Sequence, residues 1–210
     1  MKISQWFRKS EAGKESPEGE KEVRKHFTFN PISAENLPAD ILSRLTYFND
    51  MRELVEAQEV QNSDGSTTYI LERRGFPQDD GFIGHRFFVM DYVGEQYAGF
   101  TEVDFCTSMQ DDKDSGRIDG FPWIVNTVTE SAFQKRGFGT RRMRIANQRV
   151  IERLGKTLHS GKNTQFGDNE RRWQKLFDKE EVERTHNPLP DRHQYRFKSE
   201  KSGQDSNNRI

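Results

Sequence analysis

The sequence contains a single cysteine, Cys106, among its 210 residues. One cysteine cannot form an internal disulfide or a thiolate zinc cluster, and such sparse use is typical of a reducing compartment. The chain has no apolar run of the roughly 18–20 residues that a membrane-spanning helix requires. Its first residues, MKISQWFRKS, lead into a charged stretch rather than the apolar segment of a secretory signal. We therefore expect a cytoplasmic protein that does not bind a membrane.

Net charge and hydrophobic content are also low. The 33 basic and 34 acidic residues give a formal net charge of −1, so no global field would recruit nucleic acid or an anionic membrane. Hydrophobic residues make up only 31% of the chain, which predicts polar segments outside the core. The 16 Phe and 3 Trp argue against wholesale disorder. We predict a flexible charged segment at 1–25, a compact domain at 26–197 and a flexible tail at 198–210.

Periodicity within the compact region predicts a mixed α/β domain. Apolar residues at helical intervals between Asn36 and Val60 predict one or two helices, and 67–72 is typical of a short strand. The runs RFFVMDY and YAGFTEVDF flank a glycine-containing turn, which predicts a hairpin. FPWIVNTVT then predicts a central strand that is apolar on both faces.

A long helix follows the central strand. Its apolar face is formed by Met143, Ala146, Val150 and Leu154, and Gly155 supplies a C-terminal stop. KTLHSG predicts a short strand, NERRWQKLF a second helix and HQYRFK a last strand. This order indicates an α/β (α+β mixed sheet) fold rather than a repeating βαβ fold.

The turn between the central strand and the long helix is rich in glycine, with the sequence Gln134-Lys135-Arg136-Gly137-Phe138-Gly139. Glycines let backbone N–H groups approach a phosphate, and the helix N-terminus adds its positive end. The turn is not a Walker A loop, because no Gly-Lys-Ser/Thr closes it. It also lacks the three glycines and the βαβ setting of a dinucleotide fingerprint.

Here the sequence resembles the GNAT superfamily of acetyl-coenzyme A-dependent N-acetyltransferases. The family signature Q/R-x-x-G-x-G/A is matched by Gln134, Gly137 and Gly139, and the surrounding elements stand in the family's order over roughly residues 80–180. The resemblance implies a central, mostly antiparallel sheet that splays between the family's fourth and fifth strands and is flanked by helices. It also implies transfer of an acetyl group from acetyl-CoA to an amine acceptor by direct attack in a ternary complex.

The resemblance implies roles by position. Backbone groups of the glycine turn would hold the coenzyme diphosphate, and the end of the central strand would face the pantetheine arm. The implied coenzyme-binding residues are Thr127, Val128, Gln134, Lys135, Arg136, Gly137, Phe138, Gly139, Thr140 and Asn169. Many relatives carry a tyrosine acid in the helix matched by NERRWQKLF, which has none. Ser160 is a poor substitute for that acid, and Glu102, Asp104 and Glu130 are candidate bases.

The long helix is strongly basic, which leaves three interpretations open. Between residues 135 and 153 the only acidic residue is Glu152. The basic residues of this span are Lys135, Arg136, Arg141, Arg142, Arg144, Arg149 and Arg153. They can form a solvated face, or neutralise coenzyme phosphates through Arg136 and Arg141. They can also dock RNA, DNA or an acidic protein. The last interpretation makes the chain a non-catalytic binding module, and a homodimer is compatible with any of the three.

Metal and cysteine chemistry are not expected. His159 lies in an apolar strand, and His186 and His193 have no recognised ligand spacing, so we predict no metal site. Cys106 has no evident base partner and is read as a buried apolar thiol. The acidic residues Asp79 and Asp80, with Glu102 and Asp104, would suit a cationic amine acceptor.

Overall fold

The structure is a computed structural model, and it describes residues 26–47, 53–77, 82–108, 122–160, 168–185 and 194–199. The nine strands among them are β1 Asn30–Pro31, β2 Glu53–Gln61, β3 Thr67–Pro77, β4 Phe82–Val93, β5 Gln96–Ser108, β6 Trp123–Thr129, β7 His159–Ser160, β8 Val182–Thr185 and β9 Gln194–Phe197. The α-helices are α1 Ala39–Tyr47, α2 Phe138–Leu154 and α3 Asp168–Asp178, and two short 3-10 turns span Ala34–Asn36 and Ser131–Phe133. None of the described helices is long and apolar enough to cross a bilayer.

All nine strands form one sheet in the order β1-β2-β3-β4-β5-β6-β7-β9-β8. Neighbouring strands pair antiparallel, except that β6 and β7 run parallel. The predicted α/β class with a mixed sheet is therefore confirmed as an α+β fold with a mostly antiparallel sheet.

The parallel pair is short and positions the candidate site. β6 and β7 pair only at Trp123 with His159 and at Ile124 with Ser160. On its other side β6 follows β5 as far as Thr129, with a bulge where Glu102 pairs with Asn126 and the next residue pairs with Ile124. Among the described residues, the β7 side of β6 is thus without a strand partner beyond Ile124.

Two apolar clusters lie on opposite faces of the sheet. The long helix α2 packs its predicted face onto one side, burying Met143 and Val150 against Phe87, Val103 and Phe105. The short helix α1 covers part of the other side. Its cluster comprises Leu37, Ile41, Ala57, Leu71, Phe88, Met90, Tyr92 and Phe100. The sheet therefore separates α2 from α1.

Several predictions from periodicity are confirmed. The hairpin is β4 and β5, joined by a tight turn in which Gly94 has a φ of 58°. The central strand is β6, the long helix is α2, and Gly155 ends that helix with a φ of 63°. KTLHSG contributes the two residues of β7, and NERRWQKLF lies within α3.

The prediction of helix up to Val60 is wrong, because the chain forms strand β2 from Glu53 onward. β2 pairs with β3 through a turn at Gly65, whose φ is 79°. That pairing buries Ala57 and Val60 on opposite faces of the sheet. A short apolar run fits both periodicities, and the tertiary pairing decided between them. The strands β1 and β8 were not predicted.

β6 is central in the sheet, as predicted, but its apolar residues are not buried on both faces. α2 covers one face, whereas Trp123 and Val128 keep 36% and 39% of their surface exposed. The interpretations placed on residues 1–25 and 200–210 and on Asp79, Asp80, His186 and His193 concern positions outside the described residues. The same holds for the side chain of Cys106.

Candidate functional site

The glycine turn leaves β6 through a 3-10 turn and two residues with left-handed backbone. Lys135 has a φ of 61° and Gly137 a φ of 86°. The Gln134 amide nitrogen donates to the Thr129 carbonyl at 3.3 Å. A Cβ at position 137 would meet no atom within 4 Å. The backbone conformation, rather than crowding, is therefore what requires glycine there.

This turn delivers α2 with an open N-terminus. Gly137 is the N-cap and offers no capping side chain, and the first turn holds no acidic residue. The first N–H to bond within the helix is that of Arg141, which donates to the Gly137 carbonyl at 3.0 Å. The preceding N–H groups of Phe138, Gly139 and Thr140 have no acceptor inside the helix. Together with the helix dipole, they form a geometry that suits an anion.

Positive side chains surround this N-terminus. Lys135 and Arg136 are exposed, and the Arg136 guanidinium lies 5.5 Å from the ring centroid of Phe133 and 5.4 Å from that of Phe138. Arg172, from α3, lies against Gly139: its Nε is 2.8 Å from the position of a Cβ at that residue. The first turn of α2 is thus approached by cations from the glycine turn and from α3.

Arg172 also reaches the free edge of β6. Its Nη1 donates to the carbonyl oxygen of Thr127 at 3.2 Å. The Thr127 side chain is buried and lies 3.3 Å, oxygen to oxygen, from the Thr101 hydroxyl. Val128, the next residue, is exposed on the other face. The structure therefore brings Thr127, Val128 and the glycine turn together around the end of β6.

Arg142, on α2, connects this helix to β4 and to the end of β6. It is fully buried and forms an ion pair with buried Asp91, Nη1 to Oδ2 at 2.9 Å. Its Nη2 donates to the Val128 carbonyl and the Thr129 hydroxyl, both at 2.7 Å. Burial lowers the pKa of Arg142, and the charge of Asp91 opposes that shift. The guanidinium is a structural anchor for the last residues of β6.

Arg141 is committed to the turn between β2 and β3. It pairs with Asp64 at 2.7 Å and donates to the Ser66 hydroxyl at 2.8 Å. Partial burial alone would raise the pKa of Asp64, but hydrogen bonds from Ser66 and the ion pair with Arg141 lower it to about 2. Arg141 is therefore less available to phosphates than expected, whereas Arg136 stays exposed.

The interpretation of the basic helix as a solvated face is wrong for its buried arginines. Arg142 and Arg149 are buried, and the other arginines of α2 also pair with carboxylates of the domain. These pairs are Arg144 with Glu181, Arg149 with Glu56 and Glu72, and Arg153 with Glu72. Most of the positive charge of α2 is thus neutralised within the domain.

Glu102 lies on the face opposite α2, in a compact ionic group. Arg86 Nη1 is 2.5 Å from Glu102 Oε1, and its Nε and Nη2 hold both oxygens of Asp104 at 2.5 and 2.7 Å. Two carboxylates thus share the Arg86 guanidinium on this face of the sheet. The register places Asn126 beside Glu102 and exposed Trp123 beside Asp104.

The remaining acid–base candidates occupy different environments. Ser160 is fully buried, and its Oγ accepts the backbone N–H of Tyr195 at 2.9 Å. Glu130 is exposed directly after β6. Sequence reasoning missed Tyr97, whose pKa is raised to about 12 by burial, with smaller contributions from neighbours that include Glu130. Tyr97 was missed because only the β5–β6 pairing, which sets Gly99 opposite Thr129, brings it near the end of β6.

The other predicted residues divide between the site and its borders. Asn169 lies in the first turn of α3, the helix that carries Arg172, and its side chain is outside the described part. His159 is in register with Trp123 and Arg196. Burial, followed by the charge of Arg196, lowers the pKa of His159.

Within the described ranges no three metal-ligating side chains come together. No protein-family model, curated protein or solved structure matches the chain.

Proposed function

We propose that the protein is an N-acetyltransferase that uses acetyl-CoA as co-substrate and acylates an amine. The observation that carries this proposal is the open first turn of α2 beside the edge of β6 that has no partner among the described strands beyond Ile124. A diphosphate fits the first feature, because three N–H groups without helical acceptors and two exposed cations meet there. An amide-containing arm fits the second, because a strand edge offers alternating donors and acceptors.

The topology supports the same proposal. Among the described residues, β6 pairs with β7 over two residues and has no strand partner on that side beyond Ile124, which supports a slot along this edge of β6. The slot lies between the face covered by α2 and the open face that carries Trp123 and Val128. A thioester entering along β6 from the α2 side would therefore reach the open face, where an acceptor can approach. This arrangement matches the splayed sheet that the GNAT resemblance implies.

The chemistry asks little of the protein beyond position and proton transfer. The amine nitrogen attacks the thioester carbonyl carbon, the C–N bond forms and the C–S bond breaks. A base takes the proton lost by nitrogen, and the leaving thiolate gains one. We assign the base to Glu130 or, through water, to Glu102, whose pairing with Arg86 makes it the weaker candidate. We assign the acid to Tyr97, which is protonated at neutral pH, in preference to buried Ser160, whose Oγ already accepts the Tyr195 N–H.

The alternative of a nucleic-acid- or protein-binding module receives less support from the geometry. Such a module needs several free arginines on one surface, whereas α2 directs five of its arginines into ion pairs. Lys135 and Arg136 remain exposed, and they lie at the glycine turn itself. The charge that stays available is thus concentrated where a coenzyme diphosphate would bind.

Calorimetric titration with acetyl-CoA tests the proposal. Gly137→Glu would place a carboxylate at the open N-terminus and abolish binding. Gly155→Glu is the matched control: that residue also has left-handed backbone with no atom within 4 Å of a Cβ, but it ends the same helix. It would carry equal strain and retain binding. Absence of binding by the folded wild type, or equal loss in both variants, would contradict the proposal.

A further inference from the structure

One side chain joins the two halves of the proposed coenzyme site. Arg172 lies with its Nε and Cζ 2.8 and 3.2 Å from a Cβ position on Gly139, in the first turn of α2. The same guanidinium donates through Nη1 to the Thr127 carbonyl on the edge of β6. A single cation therefore contacts both the anion-binding end of the helix and the strand edge.

The contact of Arg172 with Thr127 conflicts with binding of the pantetheine arm of the coenzyme along β6. A carbonyl on the free edge of a strand is the acceptor that an amide N–H of a strand-like ligand would use. In the structure that acceptor is already bonded to Arg172. A carbonyl oxygen can accept two hydrogen bonds, but an arm lying along β6 would need the space beside Thr127 that the guanidinium fills. Entry of the arm thus requires the guanidinium to leave.

The displaced guanidinium has a near anionic destination. Its stem already lies over the first turn of α2, where the proposed function places a diphosphate, and charge-assisted bonds to phosphate are stronger than a bond to a neutral carbonyl. Rotation about the terminal side-chain bonds of Arg172 would exchange its hydrogen bond to the Thr127 carbonyl for bonds to the diphosphate. The exchange is favourable only for a ligand that brings the diphosphate.

We infer that Arg172 is a specificity-determining residue that makes binding along β6 depend on the diphosphate of the ligand. The inference rests on the proposed function. It predicts that the protein selects acetyl-CoA over S-acetylpantetheine, which has the same arm and thioester but no diphosphate. The diphosphate of acetyl-CoA offers the displaced Arg172 guanidinium a new ionic partner, whereas S-acetylpantetheine offers none.

The experiment compares both ligands on the wild type and on Arg172→Met, with S-acetylpantetheine titrated directly and in competition with acetyl-CoA. Methionine keeps an unbranched stem on Gly139 and removes the guanidinium. In Arg172→Met we expect acetyl-CoA to bind more weakly and S-acetylpantetheine more tightly than in the wild type. The dissociation constant of S-acetylpantetheine divided by that of acetyl-CoA should therefore fall about tenfold or more. Arg171→Ala, the exposed neighbour on α3, is the control and should leave the ratio unchanged.

The outcomes separate the inference from the proposed function. A ratio that stays the same in Arg172→Met, while Gly137→Glu abolishes acetyl-CoA binding, overturns the role of Arg172 and leaves the proposed function intact. If neither the wild type nor Arg172→Met binds either ligand, the proposed function fails and the inference falls with it. Binding of S-acetylpantetheine by Arg172→Met alone would support the inference.

Discussion

Arg172 approaches Gly139 so closely that a Cβ at position 139 would lie 2.8 Å from its Nε. The two glycines of the turn are therefore required for different reasons. Gly137 has a left-handed φ of 86° with open space around it, whereas Gly139 lies in the helix and is crowded by a side chain from α3. This difference can be tested by substitution.

Alanine at position 139 should have opposite effects in two backgrounds. Alanine is favoured over glycine in helices by up to about 1 kcal/mol, but here its methyl group would displace Arg172 from Gly139 and Thr127. We expect Gly139→Ala to be neutral or destabilising in the wild type and stabilising in Arg172→Ala. Urea unfolding of the wild type, the two single variants and the double variant gives the coupling free energy between positions 139 and 172. Equal effects in both backgrounds would show that Arg172 does not require the glycine.

At position 137 the strain is in the backbone. Gly137→Ala should destabilise the fold by about 1–2 kcal/mol, since an L residue pays to adopt the left-handed region. Gly137→Asn should cost less, because asparagine tolerates that region better. Chemical denaturation measures both variants. A cost for asparagine as large as that for alanine would mean that something other than φ selects glycine.

The fold was predictable where local signals were strong. The turn at Gly94 between two β-rich runs, and the apolar spacing that ends at Gly155, specify β4, β5 and α2 without tertiary information. Residues 53–60 gave no such signal, because their apolar residues fit helix and strand alike. Only pairing with β3 makes them β2.

The candidate site was predictable in part. The glycine turn is visible as a motif, but the contact of Arg172 with Thr127 joins residues 45 positions apart. The burial of Arg142 was hidden for a similar reason. A helix rich in arginine suggests a solvated surface, and its partner Asp91 lies 51 residues away on β4. Such pairs arise from the sheet register, which sequence patterns do not specify.

The buried pair of Arg142 and Asp91 should be sensitive to the loss of one partner. Asp91 also accepts the Thr68 hydroxyl at 2.5 Å. Asp91→Leu would leave the guanidinium buried without its counter-charge, and we expect a loss of about 3–5 kcal/mol in the free energy of unfolding. Combining it with Arg142→Met should restore part of that loss, as thermal or urea unfolding would show. A double variant less stable than both single variants would contradict a charge-based explanation.

The pH dependence of stability should carry a contribution from His159. Burial and the nearby Arg196 lower its pKa below the ordinary value of 6.5, with Glu183 acting in the opposite direction. On acidification the unfolded chain therefore binds a proton at this residue before the native state does, so stability falls as the pH drops through about 6.5. His159→Gln should flatten the slope of unfolding free energy between about pH 7.5 and 5.5. An unchanged slope, or stability that rises in the wild type but not in the variant, would show that His159 is not held neutral. Arg196→Gln provides the complementary test, because removing that positive charge should raise the native pKa of His159 toward 6.5 and so reduce the fall in stability on acidification.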